Sequence, residues 1–370
     1  MENEKVIVIG ASTGGFEVIK SIISQLPPDF VTPIFIVWHM SPDIQGIMPH
    51  VLNKLNTISA SNAVDGETIQ SNHIYVAPPD HHMIIEKGVI KVSRGPKENL
   101  FRPAIDPLFR SAALAYGNRV TGIILSGALD DGSSGLWHIK THGGIAVVQD
   151  PNDAEASSMP QSAMRAVKVD YCVPAADLPA LLTELSKREV TNDKYYPDET
   201  AASVPLTNNN ENDRGSFITD KKLQGEIDIA GEGNAVKYGA DSFGELSPYS
   251  CPECHGVLSR IMEDNIIRFR CHTGHAYSAN SLLLSLSQKT EDSLYQVIRG
   301  MDETIFLLNH MGDHYAEANE PKLAAVYFRE AKKTLQQSNI VRDLVHGQEL
   351  LNRDRLIEEA EQYEDNLRNS

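Results

Sequence analysis

Through the first half of the chain, short apolar runs alternate with longer amphipathic stretches. Lys5-Val6-Ile7-Val8-Ile9 is apolar without alternation and ends at Gly10, the pattern of a strand buried on both faces. Glu17 to Gln25 has helical periodicity and stops before Pro27-Pro28. Pro33–Trp38, His73–Ala77, Val120–Leu125 and Ile145–Gln149 repeat the strand pattern. Pro49–Leu55, Asp106–Tyr116, Leu136–His142 and Leu178–Lys187 predict helices between them, with Asp106 as an N-cap and Pro107 at the first helical position. Met83 to Val92 predicts a hairpin about Lys87-Gly88. Val169 to Val173 predicts a further strand, in which Cys172 is expected as a buried, inert thiol. This order predicts an α/β domain over residues 1–188, a doubly wound, mostly parallel sheet.

The pattern then changes. Residues 189–248 carry 12 acidic and 5 basic side chains. Thr207 to Gly215 is polar with no apolar period, so the whole stretch reads as an acidic polar linker. Residues 249–280 form a small cysteine-containing module, and 281–370 a helical tail. In the tail Leu294, Ile298, Met301, Ile305 and Leu308 recur at 4-3-4-3 spacing, and Pro321 opens a second helix running from Leu323 to Leu351. An αα-hairpin packed on itself is the favoured reading. Self-association or a partner-docking helix along that seam is the alternative.

Composition narrows the function. Hydrophobic residues make up 41% and charged residues 22%, enough for a packed core. The net charge of −17 argues against nucleic-acid binding and against an anionic membrane surface. No apolar stretch approaches bilayer length, and Met1-Glu2-Asn3-Glu4 lacks the features of a signal peptide, so a cytoplasmic protein is expected.

The clearest candidate chemistry lies at strand ends. Gly10-Ala11-Ser12-Thr13-Gly14-Gly15 follows the first strand and opens a helix, matching the G-x-S-x-G turn that exposes a nucleophilic serine. A phosphate-binding loop or a plain tight turn is the alternative, although a dinucleotide fingerprint would place glycine at Ser12 and a P-loop would need Gly-Lys-Ser/Thr. A serine nucleophile needs a base and an orienting carboxylate. His39 ends the second strand, and Asp131 follows Leu125-Ser126-Gly127-Ala128-Leu129-Asp130 after a later one. His81, His82, His138 and His142 compete with His39 but lie in a loop or on a helix. The order Ser12, His39, Asp131 differs from the Ser, Asp, His order of α/β-hydrolases.

Residues 5–185 resemble the catalytic domain of CheB-type protein-glutamate methylesterases of bacterial chemotaxis. The resemblance runs through Gly10 to Gly15, His39-Met40, Tyr75-Val76-Ala77-Pro78 with His81-His82, and Arg102-Pro103-Ala104-Ile105-Asp106. It continues through Leu125-Ser126-Gly127 with Asp131-Gly132, Gln149-Asp150 and Met159-Pro160. It implies Ser12 as nucleophile, His39 as general base and Asp131 as orienting carboxylate, with an oxyanion hole from the Thr13 and Ala128 amides. It further implies hydrolysis of glutamate γ-methyl esters, and deamidation of glutamines, on chemoreceptors, without a cofactor for catalysis. Trp38 stands where the family often has glutamine, and Ala128-Leu129 where it has Met-Gly. The typical member begins with a receiver domain, which this chain is expected to lack. A regulatory adaptor with an idle esterase domain is the alternative function.

Cys251, Cys254, Cys271 and His275 follow C-x2-C-x16-C-x3-H. Two short knuckles of thiolate and imidazole donors joined by a hairpin predict a structural zinc site in a zinc-ribbon-like module. A reduced, metal-free cluster is the alternative, and His272 and, more weakly, His255 rival His275 as fourth ligand. The motif resembles an extension found on some receiver-less CheB-like proteins. Read as a separable module, it predicts that Cys251→Ser unfolds the module without abolishing esterase activity.

Overall fold

The computed structural model describes residues 4–39, 47–55, 57–189, 212–239, 243–347 and 356. The chain divides into two compact units, residues 1–281 and 282–370. Met40, residues 190–211 of the expected linker and the Leu351 end of the expected tail helix lie outside the described residues.

In the first unit, β1 (Val6–Ala11) leads into α1 (Gly15–Gln25), β2 (Ile34–Trp38), α2 (Ile47–Asn53), β3 (Ser59–Asn62) and β4 (His73–Val76). A hairpin of β5 (His82–Glu86) and β6 (Val89–Ser93) precedes α3 (Ile105–Tyr116), β7 (Val120–Ile124), α4 (Ser133–Thr141), β8 (Ile145–Gln149), α5 (Ser158–Ala166), β9 (Tyr171–Val173) and α6 (Leu178–Lys187). Seven strands form one sheet in the order β3-β4-β2-β1-β7-β8-β9, and every pairing in it is parallel. The chain winds outward from β1 through β2, then returns to β7 on the other side. The switch point of this doubly wound sheet therefore lies at the carboxyl end of β1, where such sheets place their sites.

Period-two side-chain alternation divides the core between the sheet's faces. Val6, Val8, Phe35 and Val37 pack with Leu108, Phe109, Leu136 and Ile139 of α3 and α4. Ile7, Ile9, Ile34 and Ile36 pack with Ile19, Ile22 and Ile23 of α1 and with Leu178 and Leu182 of α6.

Several expectations are corrected. Asp106 does not cap α3. It lies within the first turn, Ala104 holds the cap position without a side-chain bond, and the Ile105 amide donates to Asp131 at 2.7 Å. The cap comes from a distant carboxylate, which local sequence does not reveal. Cys172 is exposed, because β9 is the edge strand of the sheet.

The linker expectation fails over its second part. α7 (Asn212–Glu232) is a helix, and its Leu223, Ile227 and Ala230 pack against Ile84 of the hairpin and Leu114 of α3. It escapes an apolar-period reading because one inward position is charged. Glu226 forms a bidentate pair with Arg268, both bonds 2.9 Å, and accepts from Arg270 at 3.1 Å. β10 (Glu245–Ser250), β11 (Val257–Glu263), β12 (Ile266–Cys271) and β13 (Ala276–Ser278) form an antiparallel sheet in that order, two strands more than the expected hairpin. Arg268 and Arg270 from β12 enter a buried ionic cluster. Arg268 Nε donates to Glu263 at 2.8 Å, Arg270 to Glu98 at 2.8 Å, and Arg110 also pairs with Glu98. His138 of α4 meets Glu263 at 3.1 Å. The module and the parallel-sheet domain thus share one interior.

In the second unit, α8 (Ala279–Glu317, whose first turn belongs to the first unit) runs to a short turn and α9 (Pro321–His346). Ile298 is buried and Leu294, Met301, Ile305 and Leu308 are half-buried, as the seam predicts. On α9, Ala324, Ala331, Ser338 and Val345 are buried at seven-residue spacing. Tyr315 stacks on Tyr327 at 5.3 Å between ring centres, and Arg342 reaches Asp302 at 2.5 Å. These contacts make an αα-hairpin. No helix among the described residues is long and apolar enough to cross a membrane.

Burial opposes the charge on Glu98, but Arg110 and Arg270 hold its carboxyl down at about 2. Glu226 and Glu263 are likewise held low by Arg268. A folded-state value below the unfolded one contributes stability above the unfolded pKa and loses it as pH falls. Urea unfolding should therefore show stability falling progressively from about pH 4.5 towards pH 2. Glu226→Ala, which removes the fork on Arg268 and one of the two carboxylates on Arg270, should cost about 3 kcal/mol at pH 7 in the same assay.

Candidate active site

Three strand ends converge at the switch point. The His39 amide donates to Ala11 O and the Ser12 amide to Ser126 O, each at 3.0 Å, so the turns after β1, β2 and β7 are stitched together. Gly14, at the N-cap of α1, adopts φ 76°, which allows the chain to enter the helix directly after Ser12-Thr13. Gly127 must be glycine for a different reason. A Cβ there would stand 2.8 Å from Ser12 Cβ and 2.6 Å from the Met159 methyl. Trp38 Nε1 donates to Ser12 O at 3.1 Å, and the indole stacks on Phe16. The tryptophan that departs from the family pattern thus braces the serine turn.

His39 Nε2 lies 2.8 Å from Asp131 Oδ2. Its other face of interaction is Phe101, stacked at 3.7 Å and 8° between planes. Nδ1 is buried and has no hydrogen-bond partner among the described residues. Ser12 is 8%, His39 9% and Asp131 1% exposed, while Thr13 and Ala128 stand at the open rim. With Nε2–H committed to Asp131, Nδ1 is the nitrogen left to accept a proton.

Asp131 is surrounded by donors. Oδ2 accepts from His39 Nε2 and Ile105 N; Oδ1 accepts from Asn99 Nδ2 at 2.9 Å, Gly132 N at 2.9 Å and Asp106 N at 3.3 Å. Burial opposes its charge, but these bonds and the His39 imidazole hold the carboxyl below the usual range. The neighbouring Asp106 goes the other way. Burial first, then the Asp131 charge, raises it to about 7. Two neighbouring carboxyls in this interior are thus shifted in opposite directions.

The competing histidines are engaged elsewhere. His82 is buried between Pro96 O, 2.8 Å from Nε2, and the Ala104 amide, 3.3 Å from Nδ1. His81 Nδ1 bonds Pro79 O, His138 meets Glu263, and His142 meets Asp220 at 3.3 Å. Among the described residues, the Thr13 and Ala128 amides donate no bond, as does that of Gly14, whereas those of Ser12, Gly127 and Leu129 are used. Leu129 adopts φ 66°, so the loop retains a glycine-like backbone despite its side chain.

Sequence reasoning missed Phe101, Asn99 and Ser278. Phe101 sits beside the Arg102-Pro103 motif and offered no spacing signal. Asn99 makes its bonds to Asp131 and Ser278 across 32 and 179 residues, which local sequence does not reveal.

The Cys251, Cys254, Cys271 and His275 ligand atoms all lie within 4.8 Å of one another. Cys254 and Cys271 sulfurs are 3.6 Å apart, and His275 Nδ1 is 3.7 Å from Cys251 Sγ and 3.6 Å from Cys271 Sγ. A tetrahedral zinc with ordinary Zn–S and Zn–N bonds needs edges of about 3.5–3.8 Å, so three thiolates and one imidazole fit it. His272 and His255 are exposed and outside this cluster, and the His272 ring instead covers Gly256.

The parallel α/β sheet thus gathers a serine turn, a buried His–Asp pair and free backbone amides at one edge. Residues 7–182 match the family model described as CheB methylesterase. A putative protein-glutamate methylesterase/protein-glutamine glutaminase of Leptospira interrogans serovar copenhageni is 41% identical over 51% of this chain and 98% of its own length. A protein of Anaeromyxobacter dehalogenans, named protein-glutamate methylesterase/protein-glutamine glutaminase 2, is 33% identical over 50% of this chain and 54% of its own. The crystal structure of the Thermotoga maritima CheB methylesterase catalytic domain aligns with 49% of this chain and 98% of its own, at 32% identity and a TM-score of 0.47. The chain belongs to the CheB methylesterase family.

Left-handed leucine costs roughly 1 kcal/mol relative to glycine. Leu129→Gly should therefore raise stability by up to about 1 kcal/mol, read as an increase in Tm by calorimetry, with the loop conformation unchanged.

Proposed function

We propose that this protein is a serine-dependent protein-glutamate methylesterase, and a protein-glutamine deamidase, acting on methylated chemoreceptors at the cytoplasmic face in chemotaxis adaptation or a related signalling pathway. The observation that carries the reading is the buried His39–Asp131 pair beside Ser12 at the switch point, in a chain of this family. His39 Nδ1 takes the hydroxyl proton as Ser12 Oγ attacks the ester carbonyl. The Thr13 and Ala128 amides stabilise the oxyanion. Collapse expels methanol, protonated by His39, and leaves a glutamyl-Ser12 ester. Water, deprotonated by His39, attacks this ester and releases glutamate and free Ser12. With a glutamine substrate the first leaving group is ammonia. Asp131 holds the imidazole in its tautomer and stabilises its protonated form.

The left-handed Leu129 supports the enzyme over an idle adaptor, since the glycine replacement in the oxyanion loop keeps the backbone the family pattern asks for. Cys251, Cys254, Cys271 and His275 would hold zinc, with no open coordination position, so its contribution is to structure. Self-association through the tail would run over Phe306, Leu307, Ile340 and Leu344, which are exposed.

Methanol release from a methylated receptor fragment tests the assignment. Ser12→Ala should lower the rate by several orders of magnitude. Equal rates for the two proteins would refute it. Protein purified without chelator should contain close to one zinc per chain by atomic emission, and Cys251→Ser should lose it.

A further inference from the structure

Asn99 joins the Cys/His cluster to the esterase site. Its Nδ2 donates to Asp131 Oδ1 and to Asp106 Oδ2, both at 2.9 Å. Its Oδ1 accepts from the Ser278 amide at 2.7 Å and from Ser281 Oγ at 3.3 Å. Its own amide donates to Ala276 O at 2.8 Å, and the Ala276 amide returns a bond to Lys97 O at 3.2 Å. Ala276 directly follows His275. The path from the cluster to the carboxylate is therefore one peptide bond and two hydrogen bonds.

A second path reaches the oxyanion loop. Ser278 Oγ donates to Asp130 Oδ1 at 2.6 Å and Asn280 Nδ2 to Asp130 Oδ2 at 2.7 Å. Asp130 lies between Leu129 and Asp131. A third contact comes from Arg270, which bonds Gly274 O in the knuckle and Glu98 beside Asn99.

The segment carrying Asn99 is a tight turn closed by Glu98 and Phe101, whose backbones exchange two bonds at 3.2 and 2.9 Å. Asn99 and Leu100 take φ 50° and 75°, and neither lies in a helix or strand. Such conformations persist only where the surroundings fix them. Beside that closure the turn is held from outside by β13, three residues long, which begins directly after the Cys271–His275 knuckle. A bound ion would cross-link the four donors, which lie within 4.8 Å of one another, and without it that tie is lost.

We propose that metal occupancy of the Cys251, Cys254, Cys271 and His275 site positions the Asp131 carboxylate through Ala276–Ser278 and Asn99. The module is then a metal-dependent positioning element of the esterase, and Asn99 is its positioning residue. This rests on the triad reading above and departs from the expectation that the module is separable from the esterase.

The full chain is compared as zinc-loaded, chelator-stripped and reloaded protein, and as zinc-loaded Asn99→Gly. Glycine keeps the left-handed backbone and deletes only the amide. Amide hydrogen exchange is read over residues 98–107 and 128–132 alongside esterase kinetics. Stripping should lower protection in those two segments and leave β1 and β7 protected. It should reduce kcat roughly tenfold to a hundredfold at unchanged KM, with reloading restoring both. Asn99→Gly should keep one zinc per chain, show a comparable loss of kcat, and lose little more on stripping. Unchanged protection after stripping, loss of protection throughout β1 and β7, or full kcat in zinc-loaded Asn99→Gly overturns the proposal. The exchange measurement needs no substrate. A chain inert to methyl esters but showing the local protection change would refute the methylesterase reading and leave the coupling standing.

Discussion

The Asp131 carboxylate is the interaction on which the site depends. It orients His39, and its two oxygens also receive the first two amides of α3. Those amides have no partner within the helix, and the helix N-terminus favours a negative charge. One buried anion thus satisfies a helix end and a histidine together. The consequence is a fixed relation between α3, which spans the core, and the ring that would move protons. Burial alone would favour the neutral acid. The donors around it make the ion the stable form, which is the form a histidine partner requires.

The same trade recurs in the ionic cluster. Glu98, Glu226, Glu263, Arg110, Arg268 and Arg270 are buried, at a desolvation cost that apolar residues would avoid. What the charges add is directionality. Arg268 fits Glu226 in a two-bond fork, and Arg270 spans Glu98, Glu226 and the Gly274 carbonyl. A greasy interface between the parallel-sheet domain and the antiparallel module could slide by a residue. This one has a single register in which the forks close. That register sets β13 beside Asn99.

What was legible in the sequence follows the range of the forces involved. The strands of the parallel sheet are continuous apolar runs, and the serine turn is marked by its glycines. Both are local signals. The His39–Asp131 contact, and the position of the Ser12 turn at the same sheet edge, could be read because all three residues follow strand ends. The Cys251 to His275 set followed from spacing alone. The misses have the opposite character. α7 carries a charge where an apolar residue would announce a helix face, and that charge is matched by arginines 42 and 44 residues away. Asp106 looks like a cap, but the capping carboxylate comes from 26 residues downstream of Ile105. Cys172 sits in an apolar context, yet the strand it belongs to lies at a sheet edge. The division of the chain shifted for the same reason, since the module shares its interior with the domain it follows.

The loop from Gly127 to Gly132 shows how a departure from a family pattern can be absorbed. Leucine at a left-handed position is strained, and strain relaxes unless both sides are held. On one side the Leu129 amide donates to Ser158 Oγ at 2.9 Å, at the start of α5. On the other, Asp130 is gripped by Ser278 and Asn280 from the module and the first turn of α8. The grip on Asp130 comes from residues beyond the domain that matches the family model. A glycine would reach this conformation unaided. A leucine reaches it because the extension supplies the restraint, so the unusual residue and the appended module explain one another.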